Sequence, residues 1–133
     1  MTKWQFVAIA CLFFSACGTK RGAQHAPPSP LPIAWICNRI DQYVDQAVEL
    51  EGIFLGWRGA DCHFPANASN AITRSDWVFK NGEDCVYVTA GRPAGLDPTD
   101  MQQIGHRVQL RAAVRLTKEK KVYLEFISGK ILK

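Results

Sequence analysis

The residues with the most chemistry to offer are the cysteines, at positions 11, 17, 37, 62 and 85, with His63 directly after Cys62. A disulfide between Cys62 and Cys85 would close a loop of roughly twenty residues, to which the chain-entropy model assigns about 3 kcal/mol. Cys37 would then remain as a small, half-hidden apolar side chain. A metal centre built from Cys37, Cys62, His63 and Cys85 is the sharper alternative, because thiolates and imidazole are zinc-type ligands. Against it, no pair shows the short Cys-x-x-Cys separation of zinc ribbons, so the disulfide is the stronger reading. Three free thiols are the third alternative. Compartment decides among them, since disulfides persist in oxidising surroundings.

Catalytic patterns are otherwise missing from the sequence. It contains no nucleophile elbow, metalloprotease helix or glycine-rich phosphate loop, and His63 and His106 read as solvent-exposed loop residues. Asp76, beside Trp77, reads as a loop anchor accepting backbone hydrogen bonds, with Arg74 as its partner. The expectation is a protein that is not an enzyme, with no cofactor and no small-molecule substrate.

The compartment is addressed by the N-terminus. Lys3 precedes an apolar run from Trp4 to Phe14, interrupted only by Gln5. A membrane-spanning helix needs roughly 20 apolar residues, whereas a secretory h-region needs about 7 to 15. The run therefore reads as a signal peptide over residues 1–16. Phe14-Ser15-Ala16-Cys17-Gly18 resembles the lipobox of bacterial lipoproteins, although Phe14 stands where an aliphatic residue is usual. The resemblance implies that Cys17 carries acyl chains of the palmitate type and becomes the mature N-terminus. Residues 17–32, rich in Gly, Ala, Ser and Pro, then read as a flexible tether. The implied address is a bacterial cell envelope, with the membrane as first partner and the domain facing the periplasm or exterior.

Residues 33–133 are enough for one small domain. Loss of Lys3 with the leader lowers the net charge from +4 to +3, too little to mark a polyanion binder. Ile33, Ile36, Ile40 and Val44 recur at helical spacing and predict a helix over Ile33–Val44. Ala47–Trp57 reads as a first strand that keeps one face apolar only if Gly52 forms a bulge. Arg58–Ser75 shows no period and reads as a long loop. Asp76–Lys80 and Cys85–Ala90 form two strands around a turn at Asn81-Gly82. Asp97 and Pro98 open a helical turn to Ile104. Arg107–Thr117 alternates throughout, with Val108, Leu110, Ala112, Val114 and Leu116 on one side, and predicts a long half-buried strand. Lys121–Ile127 follows as its antiparallel partner.

Five strands, a bent first strand and a helical turn between the third and fourth give an all-β, five-stranded Greek-key barrel of the OB type, with a short N-terminal helix. Ile36 through Gly52, with Val48-Glu49-Leu50-Glu51-Gly52, and the segments Gly56-Trp57, Thr73–Trp77, Cys85–Val88 and Gly105–Leu110 resemble small OB-fold proteins of the tRNA-anticodon-binding-like type. The resemblance covers about Ile33 to Phe126 and bears on fold, because this fold hosts many unrelated ligands. The expectation is a binding or scaffolding module whose candidate ligand residues lie on the open barrel face and the long loop, Trp57, Arg74, Trp77 and Tyr87, flanked by Arg111 and Arg115. For the two tryptophans, core packing weighs at least as much as ligand contact. An envelope address disfavours nucleic acid and leaves a glycan, a peptide or an envelope protein as partner. A metal- or redox-active protein using Cys62, His63 and Cys85 is the alternative.

Overall fold

A computed structural model describes residues 26–57 and 62–133. The leader, Cys17, most of the tether and the first four residues of the long loop lie outside the described residues. Five strands, β1 (Ala47–Phe54), β2 (Trp77–Asn81), β3 (Asp84–Thr89), β4 (Arg107–Leu116) and β5 (Val122–Ile131), close into a barrel in the order β1-β2-β3-β5-β4. This is the all-β, Greek-key arrangement of the OB type.

Alternation decides which side chains fill it. Val108, Leu110, Ala112 and Val114 of β4 point inward and are buried, as do Val48, Leu50 and Phe54 of β1 and Trp77 and Phe79 of β2. Each large apolar side chain so buried contributes about 1.5–3 kcal/mol. Phe54, Trp77 and Phe79 form an aromatic line through the core, with centroid separations of 5.0 and 6.2 Å. Trp77 Nε1 donates to the Gly91 carbonyl at 2.9 Å, so its one polar atom is satisfied inside.

Gly52 corrects one expectation. The pairing of β1 with β4 runs without a register shift from Ala47↔Ala113 to Ile53↔Arg107, so no bulge forms there. Alternation simply continues through the glycine, and Phe54 rather than Ile53 faces the core. Glycine is required because β1 turns from β4 to β2 at this point. A Cβ there would run into the Lys80 carbonyl and come within 2.7 Å of the Phe79 ring. The irregularity lies instead between Arg111 and Ala112, where β5 bulges at Ile127.

Other boundaries move for local reasons. The N-terminal helix is two short ones, α1 (Ile33–Cys37) and α2 (Ile40–Tyr43), broken at Asn38 and Arg39. Ile33 and Ile36 pack on the core, and Trp35 Nε1 donates to the Tyr43 hydroxyl at 3.0 Å across the break. The β2–β3 turn is Gly82-Glu83, one residue later than expected, with Gly82 at φ 61°. Asn81 stays in the strand because its amide is occupied. It accepts from Ile33 N at 3.0 Å and donates to the Glu51 carbonyl at 2.9 Å. Between β3 and β4 only a 3-10 turn forms, Met101–Gln103, capped by Asp100 rather than Asp97. Asp97 accepts instead from the N–H and hydroxyl of Thr99.

Gly52→Ala is expected to lower stability by about 1–3 kcal/mol, the usual cost of forcing an extra carbon into a filled site. Urea unfolding checks this, and a midpoint equal to that of the parent would contradict it.

Candidate functional site

The long loop after β1 is not a free loop. Its described part, residues 62–75, runs as a strap along the barrel, beside the first residues of β3 and β5, ahead of the point where those two strands pair. At one end His63 bridges in parallel to Asp84 of β3, and at the other Ala68 bridges in parallel to Val122 of β5. Three main-chain bonds fix it: Cys85 N–H to the His63 carbonyl at 2.8 Å, Ser69 N–H to the Val122 carbonyl at 2.9 Å, and Val122 N–H to the Asn67 carbonyl at 2.7 Å. Asn67 Nδ2 donates to the Cys37 carbonyl at 3.1 Å and ties the strap to α1.

Cys62 and Cys85 form a disulfide, with Cα atoms 5.9 Å apart, that bonds the strap to β3. In this state neither sulfur is a thiolate, so a metal centre on Cys62, His63 and Cys85 has lost two of its ligands. Among the described residues no group of three His, Cys, Asp or Glu side chains is placed to hold a metal ion. His63 instead pairs with Asp84, Nδ1 to Oδ1 at 3.1 Å, on the exposed side of the strap. Cys37 is free and half-buried, lining a depression with His63, Asn67 and Asp84. Burial and the neighbouring Asp84 carboxylate push its thiol up to about 11. It is therefore protonated at neutral pH and a poor nucleophile.

The strap's far end is held by Asp76. Its side chain is buried and accepts from Ile72 N–H at 2.5 Å, Thr73 N–H at 2.9 Å and the Thr73 hydroxyl at 2.5 Å. Burial alone would raise this carboxyl, but the bonds from Thr73, Thr89 and Ile72 outweigh it and hold it below the usual aspartate value. The expected role as a loop anchor is thus seen, with Thr73 and Ile72 as its partners; Arg74 is exposed beside them.

The candidate ligand residues do not form one surface. Trp57 is half-exposed on the turn after β1, its N–H bonded to the Pro98 carbonyl. Trp77 lies wholly inside the barrel and offers no surface to a ligand. Tyr87 faces outward but is stacked on Phe64 of the strap, with centroids 5.3 Å apart and planes 23° apart. Arg115 Nη1 donates to Asp45 at 2.7 Å and its Nε to Glu125 at 3.0 Å. These two carboxylates raise its pKa further and engage two of its five donors. Arg111 is the exception, because its contact is a loose 3.8 Å approach to Glu49 with both side chains more than half exposed.

Arg111 lines an open groove of about 270 Å³ on the outer face of β1, β4 and β5, together with Glu49, Gln109, Ser128 and Lys130. The floor is the paired backbone of Leu110 and Gly129. Gly129 is needed because a Cβ would stand 2.8 Å from the Gln109 carbonyl. Sequence reasoning placed Gln109 and Arg111 on one face of a strand but ended the next strand at Ile127, and so missed Ser128 and Lys130. Compared with family models, with curated proteins and with solved structures, the chain matches none.

Asp76 carries a pH signature. Its carboxyl has a lower pKa folded than unfolded, so its contribution is complete above the unfolded value and fades as pH falls through the folded one. Asp76→Asn is expected to cost about 1–3 kcal/mol at pH 7. The gap to the parent should narrow below about pH 4. Urea unfolding of both proteins at pH 7 and pH 3 tests this, and a gap independent of pH would contradict it.

Proposed function

We propose that this chain is a lipid-anchored module of a bacterial cell envelope, a non-enzymatic OB-type binding or scaffolding domain. We further propose that its ligand sits in the groove of β1, β4 and β5 rather than on the β2–β3 face. The address rests on the leader and lipobox-like residues around Cys17. The kinship with tRNA-anticodon-binding-like OB proteins rests on the segments quoted above and on the strand order.

The observation that carries the binding reading is the groove itself. Arg111, Lys130, Gln109 and Ser128 supply donors, Glu49 supplies an acceptor, and Leu110 keeps its side chain in the core. A polar lining of this kind suits an anionic, hydroxyl-bearing ligand, and an acidic glycan is the best match among envelope partners. A peptide added as a strand fits poorly, because β4 and β5 pair with each other across the groove and leave no main-chain edge there.

Two experiments test the parts separately. Cys17→Ser expressed in a bacterial host should move the protein from the membrane to the soluble fraction and abolish acyl mass; unchanged membrane retention would contradict the anchor. For the groove, Arg111→Glu with Lys130→Glu should weaken binding of an oligouronate by about tenfold or more, each lost charge-assisted bond being worth about 1.5–3 kcal/mol. Arg115→Gln, outside the groove, should leave binding unchanged. No titration heat with the parent protein, or equal affinity in the double variant, would overturn the groove assignment.

A further inference from the structure

The strap covers the face on which OB barrels commonly take their ligands, the outer side of strands 2 and 3. Cys85 belongs to that outer side, yet it is completely buried, does not pack in the barrel core and is bonded to Cys62 of the strap. Tyr87, two residues on along the same side of β3, lies under Phe64. Residues 62–69 therefore occupy a surface that would otherwise be open.

How the strap is held differs along its length. At Ile72 and Thr73 it is fixed by three bonds to buried Asp76. Between Cys62 and Ser69 it is held by the disulfide, three main-chain bonds, the Asn67 amide on the Cys37 carbonyl, one aromatic stack and side-chain contacts at its exposed edge, among them His63–Asp84 and Lys121 Nζ to the Ala66 carbonyl. Exposed contacts of the last kind hold weakly. The disulfide is the only covalent link among these.

We infer that Cys62–Cys85 is a redox latch: reduction by a dithiol frees residues 62–71 as a flap hinged at Asp76 and uncovers Cys85 and Tyr87. Cys62 is half-buried and Cys85 wholly buried, so the incoming thiolate attacks the Cys62 sulfur. A mixed disulfide forms and Cys85 leaves as a thiolate, which takes up a proton. The second thiol of the reductant then displaces Cys62, whose sulfur is also protonated. Two electrons pass to the protein, and the dithiol ends as a disulfide. Cys37 takes no part, since its thiol stays protonated. The inference is independent of the groove ligand proposed above, because the flap meets β3 and the start of β5 at Val122, whereas the groove is lined by β1, β4 and the far end of β5 at Ser128 and Lys130.

Hydrogen exchange on the folded protein, with and without dithiothreitol, tests the latch. The strap amides that bond to the barrel or receive it, Ser69, Cys85 and Val122, should exchange at least about tenfold faster after reduction, as expected for a local opening relieved of its covalent constraint. Amides of Leu50 and Leu110, in the paired β1 and β4, should be unchanged, and Cys62→Ser should reproduce the effect without reductant. Unchanged exchange at Ser69, Cys85 and Val122 would overturn the latch. So would uniform acceleration across the barrel, or unfolding on reduction reported by loss of the near-ultraviolet signal of buried Trp77, because the bond would then staple the whole fold. If Cys62→Ser does not fold, reduction of the folded parent decides alone.

Discussion

A five-stranded barrel closes only if its third and fifth strands meet, and here they meet along two residue pairs, Val88↔Leu124 and Thr89↔Glu125. Before those pairs β3 and β5 diverge, and the main-chain groups along the gap need partners other than each other. The strap supplies them. It accepts from Cys85 and exchanges bonds with Val122 from its own residues His63, Asn67 and Ser69. The barrel closes through those two pairs, and the strap fills the gap beside them, held there covalently by Cys62–Cys85.

That constraint determines which surfaces remain. The outer side of β2 and β3 is spent on holding the strap, with Tyr87 under Phe64 and Cys85 in the disulfide. Arg115 is spent on Asp45 and Glu125, which joins the turn before β1 to β4 and β5. What stays open is the outer face of β1, β4 and β5 around Arg111. There the small side chain of Ser128 stands opposite Arg111 and leaves room above the sheet.

Much of the fold was legible because it is written in local periods. The alternation of Arg107–Thr117 marks a strand with one buried face, and the structure has β4 at Arg107–Leu116. The hairpin, the two Cys positions and the Asp76 anchor were likewise readable from turn and loop chemistry. What was not legible depends on pairing between distant residues. Gly52 reads as a bulge from its own strand, and only the approach of Lys80 and Phe79 reveals a close contact instead. The strap has no period because it touches two different strands through single bridges. Ser128-Gly129-Lys130 looks like the end of a strand, and is held in β5 by its register with Leu110 and Gln109. The groove was invisible for the same reason, as its residues come from three strands.

The covalent hold of the strap on the barrel is tested most directly by proteolysis of the unreduced protein followed by mass spectrometry of the linked peptides. The expected result is one linkage, joining the peptides of Cys62 and Cys85, with Cys37 modified by alkylation under denaturing conditions without reductant. Linkage of Cys37 to either partner, or alkylation of all three cysteines before reduction, would contradict it.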